Sequence, residues 1–426
     1  MRKKEIENQE HRYLNRSLWS NLQSLKSTVS FMQTGAHPDD EASRLLAKLS
    51  LDYGYHVSYV NAVRGQGGQN SIGPERDDNL GALRTFELLK AMSVLRADIG
   101  WLAENRNSSI VDFGLSKSAE ETFEFWGKDH TFQRMVRLVR AYKPDIIIPT
   151  FLDINGQHGH HRAITRATIE AYDNSDNSKI YKDSQFKPWK ISQIFLPAWG
   201  GGGGAYDDEE DPPEATHFID VGDFNNIFGG TYNQIGEWSR SYHSTQNVSK
   251  LAYEDKLTVP LHLLKGTLVD GDITGGVIPK NLYELSEFSK DKSGKHLLIE
   301  AHKYSLDAIE SFNKTDQLIT NLCKLQKLLG DAEKSFSEDQ VHRIQLKQKQ
   351  CSYAMADCIA LLPSLSFISN NHFVGGKIKA NLSIHKNNKF NISNLNKKII
   401  TPFETDLSFQ NEINISSNRI NYIFEG

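Results

Sequence analysis

Two short clusters of ligand-type and acid–base side chains stand out in this chain. The first is Gly35-Ala36-His37-Pro38-Asp39-Asp40-Glu41. His37 and Asp40 offer one nitrogen and one oxygen donor, a mix that a divalent ion such as zinc accepts. Asp39 is then left over, and an uncoordinated carboxylate beside a metal-activated water is a natural general base. Pro38 fixes φ and stiffens the turn. The same residues admit a plainer role, in which Asp39 or Asp40 caps the following helix. The second cluster is Gly156-Gln157-His158-Gly159-His160-His161-Arg162. Three histidines within four residues are rarely needed for packing, and they supply the ligands that the first cluster lacks.

Both clusters must be positioned by the elements around them. Thr28 to Gln33 alternates apolar and polar residues as a short strand does, and Ala42 to Leu49 carries apolar residues at helical spacing. The apolar run Ile146 to Phe151 precedes the second cluster, and a helix is expected to start near Arg162 and run through Ile164, Ala167, Ile169 and Tyr172. From Thr28 to about Asp173 strands are expected at 28–34, 56–63, about 98–103 and 145–151. Helices are expected at 41–53, 79–95, 118–126, 129–142 and 162–172. Such alternation implies an α/β, Rossmann-like fold with a mostly parallel sheet flanked by helices on both faces. Both histidine loops then share the C-terminal edge, where open α/β sheets bind ligands.

On Ala36-His37-Pro38-Asp39-Asp40-Glu41 and His158-Gly159-His160-His161-Arg162-Ala163 the chain resembles the PIG-L (LmbE-like) deacetylase family, over roughly residues 28–250. The resemblance implies a zinc hydrolase, with one Zn2+ per chain, that removes an acetyl or other N-acyl group from N-acetylglucosamine-type amides. It implies His37, Asp40 and, by alignment to the following Arg-Ala, His161 as metal ligands. Asp39 becomes the general base, and His158 in protonated form steadies the oxyanion. The commoner family loop is His-Pro-Asp-His, so His160 is an extra and a competing ligand by type. Longer relatives carry a run similar to Arg64-Gly65-Gln66-Gly67-Gly68-Gln69-Asn70 in the active-site wall, where Arg64 would bind an oxygen-rich group. The family's Leu-Gly-x-x-Arg-x-x-Glu pattern is matched by Leu80 to Glu87, and one helical turn separates Arg84 from Glu87, which suits a structural ion pair and a substrate contact equally. Val111 to Ser118 implies Asp112 as a contact to sugar hydroxyls, against a plain role as a turn carboxylate. Ser239 to Gln246 resembles the pattern that closes the catalytic domain in long relatives, which puts Arg240 and His243 near the substrate.

Downstream the chemical signals thin out. Trp199 leads into Gly200 to Gly204 and an acidic, proline-containing stretch from Asp207 to Pro213, a loop by composition, with Trp199 or Tyr206 able to stack on a sugar. Leu297 to Leu329 reads as helix with Gly330 as a stop, and Ser337-Glu338-Asp339-Gln340 as a capping box opening a helix to Leu362. A β pattern follows from about Phe373, too short for a whole sandwich domain of about 100 residues. The expected organisation is a helical lead-in at 1–27, a catalytic domain at 28–255, a connector and helical hairpin at 256–364, and a β-rich, incomplete sandwich at 365–426. At 426 residues with a net charge of −4, the chain offers no global argument for nucleic-acid binding. Its three cysteines lack metal-site spacing and read as reduced core thiols. Residues 1–24 lack a signal-type apolar core and no apolar run approaches the roughly 20 residues of a membrane span, so a cytoplasmic enzyme acting on a small amino sugar or glycoconjugate is expected. A catalytically silent binding protein, or a hydrolase of another amide or ester, would share most of these features. Only the first lacks a need for Asp39.

Overall fold

A computed structural model describes residues 15–105, 107–183, 185–199, 210–248, 257–367, 379–385, 408–416 and 419–425. Gly200 to Gly204 and Tyr206 lie outside the described residues, as does the lead-in up to residue 14. The chain packs as two units, residues 23–299 and residues 1–22 with 300–426.

The unit at 23–299 is built on one sheet. Its strands are β1 (Ser30–Gly35), β2 (His56–Asn61), β3 (Asp98–Trp101), β4 (Ile146–Pro149), β5 (Gln193–Pro197) and β6 (His217–Asp220). A small ladder of β7 (Phe224–Asn225) with β8 (Gly230–Thr231) stands apart, and β9 (Thr258–Lys265) returns to the sheet. The order is β3-β2-β1-β4-β5-β9-β6. The first five strands run parallel, and β9 lies antiparallel between β5 and β6. The fold is therefore Rossmann-like and mostly parallel, as the alternation implies. Helices α1 (Ser43–Leu51), α2 (Asp77–Leu95), α3 (Ala119–Trp126), α4 (Lys128–Tyr142), α5 (Gly159–Asn174) and α6 (Tyr232–Arg240) flank it. Met32, Val60, Ile147, Trp126, Met135 and Ile164 belong to one buried apolar cluster that joins strands to helices.

Chain order reverses at β1, which has β2 on one side and β4 on the other. Loops leaving neighbouring strands in opposite directions open a crevice at that point. The loops after β1 and β4 are the two that carry the histidine clusters.

Two expectations change here. Helix α5 begins at Gly159, not near Arg162, and His158 occupies its N-cap position. Gly159 permits this: its N–H donates to Ser116 O at 2.7 Å, and a Cβ there would collide with Ser116. The compact unit also runs past 255, because β9 pairs with both β5 and β6. Thr28 extends the attachment, with its hydroxyl donating to Pro279 O at 2.5 Å and its N–H to Lys280 O at 3.0 Å.

Farther along, the expected helix from Leu297 to Leu329 is two helices, Lys292–Glu310 and Thr315–Ala332. At the break Ser311 Oγ donates back to Asp307 O (2.6 Å) and accepts from the buried Asn321 (3.2 Å), side-chain bonds that compete with the helical ladder. Glu338–Cys358 packs antiparallel on Thr315–Ala332, with Cys351 Sγ 3.4 Å from Leu322 O and Cys358 Sγ 3.9 Å from Thr315 O. Ser337 is its N-cap, though its hydroxyl serves Asp339 and no capping box forms. Cys351 and Cys358 are buried thiols, whereas Cys323 is exposed. Strands β10 (Leu362–Phe367), β11 (Lys379–His385), β12 (Ser408–Ser416) and β13 (Arg419–Glu425) form one antiparallel sheet in the order β10-β11-β13-β12. Among the described residues no helix is long and apolar enough to cross a membrane.

Candidate active site

The loop after β1 is held by its own backbone. His37 O accepts from Tyr59 OH (3.0 Å), Pro38 O from Arg84 Nη2 (2.6 Å), and Asp39 O and Glu41 O from Arg240 Nη1 (3.3 Å each). Asp40 Oδ2 in turn accepts the N–H groups of Ala36 (2.9 Å) and His37 (2.8 Å). These bonds hold Asp39 at φ 99°, a region that non-glycine residues rarely adopt. Backbone strain of this kind persists only where the surroundings over-determine it.

The same loop brings three donor atoms together with the first turn of α5. His37 Nδ1 and His161 Nε2 are 3.3 Å apart, and Asp40 Oδ2 is 3.5 Å from the first and 3.4 Å from the second. A tetrahedral ion with bonds of about 2.0–2.1 Å has ligand-to-ligand edges of about 3.3–3.4 Å. The three atoms thus have the spacing of three corners of such a site. His161 is oriented by stacking on Phe151 (4.1 Å between centroids) and by Gln157 Oε1 3.4 Å from Nδ1. Its Nε2 is thereby left to face the other donors. His37, His158 and His161 also form a cluster tight enough for an ion, as do His37, Asp112 and His160. The spacing favours the set with Asp40, because it brings a charged oxygen to the tetrahedral edge distance.

Burial would raise the Asp40 carboxyl, but the charges and hydrogen bonds of His161 and His37 outweigh it and hold Asp40 well below the usual carboxylate range. Asp39 goes the other way. Its burial raises the carboxyl, and the Arg84 guanidinium, 2.8 Å from Oδ1, offsets only part of that rise. A carboxylate pushed upward in basicity is what a general base requires.

His158 lines the cavity beside these groups. The backbone N–H of Ser116, which can only donate, lies 3.1 Å from its Nε2. The carbonyl oxygen of Gly114, which can only accept, lies 3.2 Å from the same nitrogen. Burial, helped by His37 and His161, pushes His158 down to about 4.

The remaining residues divide clearly. Asp112 lines the cavity and also makes the local turn, its Oδ1 accepting from Gly114 N at 2.9 Å. Arg240 lines the cavity while tethered to the loop. His243 does not reach it: fully buried, its Nε2 lies 2.7 Å from Glu41 Oε1, and Glu41 is equally buried. Burial would lower His243, but Glu41 outweighs it and the net shift is upward; Glu41 is lowered in return, His243 outweighing its own burial. Arg64 borders a separate small cavity with Gln66, Asp78 and Gly81. Arg84 pairs with Asp39 and not with Glu87, whose carboxylate accepts from Thr245 N (2.8 Å) and Oγ1 (2.6 Å). Gly65, at φ 72°, lets its loop lie on Arg84, where a Cβ would collide with the guanidinium. Glu41, Tyr59 and Phe151 escaped the sequence reading. Only the buried position of Glu41 within a motif of acids offered a signal.

His37, Asp39, Asp40, His158 and His161 open onto a cavity of about 760 Å³, also lined by Gly67, Gly68, Gln69, Phe151 and Trp199. Residues 32–172 match the PIG-L family, described as GlcNAc-PI de-N-acetylase. A 1D-myo-inositol 2-acetamido-2-deoxy-alpha-D-glucopyranoside deacetylase of Streptomyces scabiei is 28% identical over 181 residues, 38% of this chain and 53% of the relative. A mycothiol S-conjugate amidase of Streptomyces coelicolor is 26% identical over 174 residues, 37% of this chain and 56% of the relative. The chain spans about half the length of the curated relatives it matches. The matched segment starts within β1, runs through β4 and holds both histidine loops, so over residues 32–172 the chain is similar to the PIG-L family.

Proposed function

We propose that this chain is a metal-dependent hydrolase that removes an N-acyl group, acetyl above all, from an N-acetylglucosamine-type amino sugar or conjugate. The observation that carries the reading is the set of three donors at tetrahedral spacing next to a carboxylate held on a strained backbone. The residues that would hold the ion are His37, Asp40 and His161, and two nitrogens with one oxygen suit zinc. When bound, a divalent ion supplies Lewis acidity, polarising the amide carbonyl and acidifying water. Asp39 accepts the proton as water oxygen adds to the carbonyl carbon. His158 steadies the developing oxyanion through a ring N–H. As the C–N bond breaks, Asp39 returns its proton to the leaving nitrogen, giving a carboxylic acid and a free amine. Asp112, Arg240 and Trp199 line the space for the sugar and its substituent. That space, at about 760 Å³, suits a conjugate better than a single acetylated sugar.

The test combines metal content with product release. The chain loaded with zinc should hold one ion and liberate acetate from an N-acetylglucosamine conjugate. His37→Ala, Asp40→Ala and His161→Ala should each lose the ion, because three protein ligands leave no spare. Full zinc content in all three variants would reject the site.

A further inference from the structure

His160 has no part in that chemistry, yet it is one of the most enclosed polar side chains in the unit. It is 0% exposed, and its ring lies between Phe113 (centroids 4.5 Å apart, edge-on) and Trp126 (4.9 Å apart, tilted). Its Nδ1 is 3.0 Å from His37 Nε2, and its own Nε2 is buried without a hydrogen-bond partner. A buried polar atom left unpaired is costly, so the orientation that strands Nε2 must satisfy something at the other end of the ring.

The other end is the back of His37. His37 turns Nδ1 toward Asp40 Oδ2 and His161 Nε2. That nitrogen offers a lone pair only while the ring proton sits on Nε2. A proton there needs an acceptor, and His160 Nδ1 is placed to be one. We propose that His160 is a positioning residue: by accepting the Nε2 proton of His37, it fixes both the tautomer and the tilt of that ring, with Nδ1 presented to the cation. Ligand orientation by a hydrogen-bonded neighbour is a general device in metal sites, and its loss typically costs 10–100-fold in metal affinity. The aromatic walls explain why the device is rigid, since the ring cannot turn without entering Phe113 or Trp126.

Helix geometry separates this role from that of a ligand. His158 and His161 are three residues apart at the start of α5 and share a face, while His160 is offset by about 100° per residue from His161. His160 could bind an ion only with Asp112, whose Oδ1 is 4.0 Å from its Nδ1, and with His37 through Nε2. A neutral His37 cannot give Nδ1 to one ion and Nε2 to another, so the two arrangements exclude each other.

The inference rests on the metal site proposed above, and the experiment keeps the two apart. Zinc affinity is measured by competition with a chromophoric chelator on the wild-type chain, His160→Leu and His160→Asn, and the visible spectrum is recorded after cobalt(II) substitution. Leucine removes the acceptor and should weaken zinc binding 10–100-fold. Asparagine offers an amide oxygen near the position of Nδ1, and should restore affinity to within about threefold and keep the wild-type cobalt spectrum. Wild-type affinity in His160→Leu overturns the role of His160. So does an asparagine variant as weak as leucine but still folded by circular dichroism, which would make His160 a ligand. A wild-type chain that takes up no zinc overturns the metal reading itself.

Discussion

Substituting Asp39 by Asn separates catalysis from structure at this site. Asp39 Oδ1 accepts from Arg84 Nη2 at 2.8 Å, and the residue sits at φ 99°. Asparagine tolerates positive φ better than other residues with a side chain, and its amide oxygen can still accept from Arg84. Arg84 keeps its bonds to Pro38 O (2.6 Å) and Gly65 O (3.1 Å). The stability loss is then the difference between a charge-assisted and a neutral hydrogen bond, roughly 1 kcal/mol. None of the three donors at tetrahedral spacing belongs to Asp39, so zinc content should hold. Removing a general base costs ~10²–10⁴ in rate, about 3–5 kcal/mol of barrier. Activity should therefore fall far more than stability. The assay is amine and acetate release from an N-acetylglucosamine conjugate, with zinc content and Tm measured on the same sample. Turnover within about threefold of wild type, with zinc bound, would refute the assigned role and leave Asp39 as a turn residue held by Arg84.

Two further perturbations probe the support around this carboxylate. Arg84→Met removes the charge that opposes the upward shift of Asp39, so the acid limb of the kcat/KM profile should move to higher pH, with activity lost more at pH 6 than at pH 8; an unmoved limb would detach Arg84 from the base. His243→Leu strands the Glu41 charge in a fully buried position and should cost about 3–5 kcal/mol, read as a fall in Tm at pH 6. Glu41 is lowered and His243 raised by folding, so the pair stabilises fully between the unfolded values of roughly 4.5 and 6.5 and fades as pH rises through the raised His243 value. The Tm gap between wild type and variant should accordingly narrow in alkaline buffer, and a constant gap would mean that His243 supports the loop by packing alone.

Much of the site is legible from residue types and local pattern. His37, Asp39 and Asp40 fall within four residues, and their spacing alone suggests a ligand pair with a spare carboxylate. The alternation of strand and helix from Thr28 to Asp173 implies a mostly parallel sheet, and hence that both loops share an edge, because hydrophobic period is a local property. What spacing cannot supply is where a helix starts. With α5 expected near Arg162, the three histidines are loop residues with no defined faces. Once Gly159 opens the helix against Ser116, His158 and His161 fall on one side and His160 on another. The partners of Arg84, Glu41 and His160 are equally beyond local reading. Arg84 looks like half of an ion pair with Glu87 along its helix, yet it reaches back to Asp39, while Glu87 serves Thr245 and Glu41 serves His243. These contacts join residues from 45 to 202 positions apart. Only the packed sheet and its crossovers bring such groups together, and burial then makes each pairing obligatory, since an unpaired charge at these depths costs several kcal/mol. The residue types that the proposed metal-assisted hydrolysis needs are thus set along the chain, and the tertiary structure alone decides which histidine nitrogens lie close enough together to share an ion.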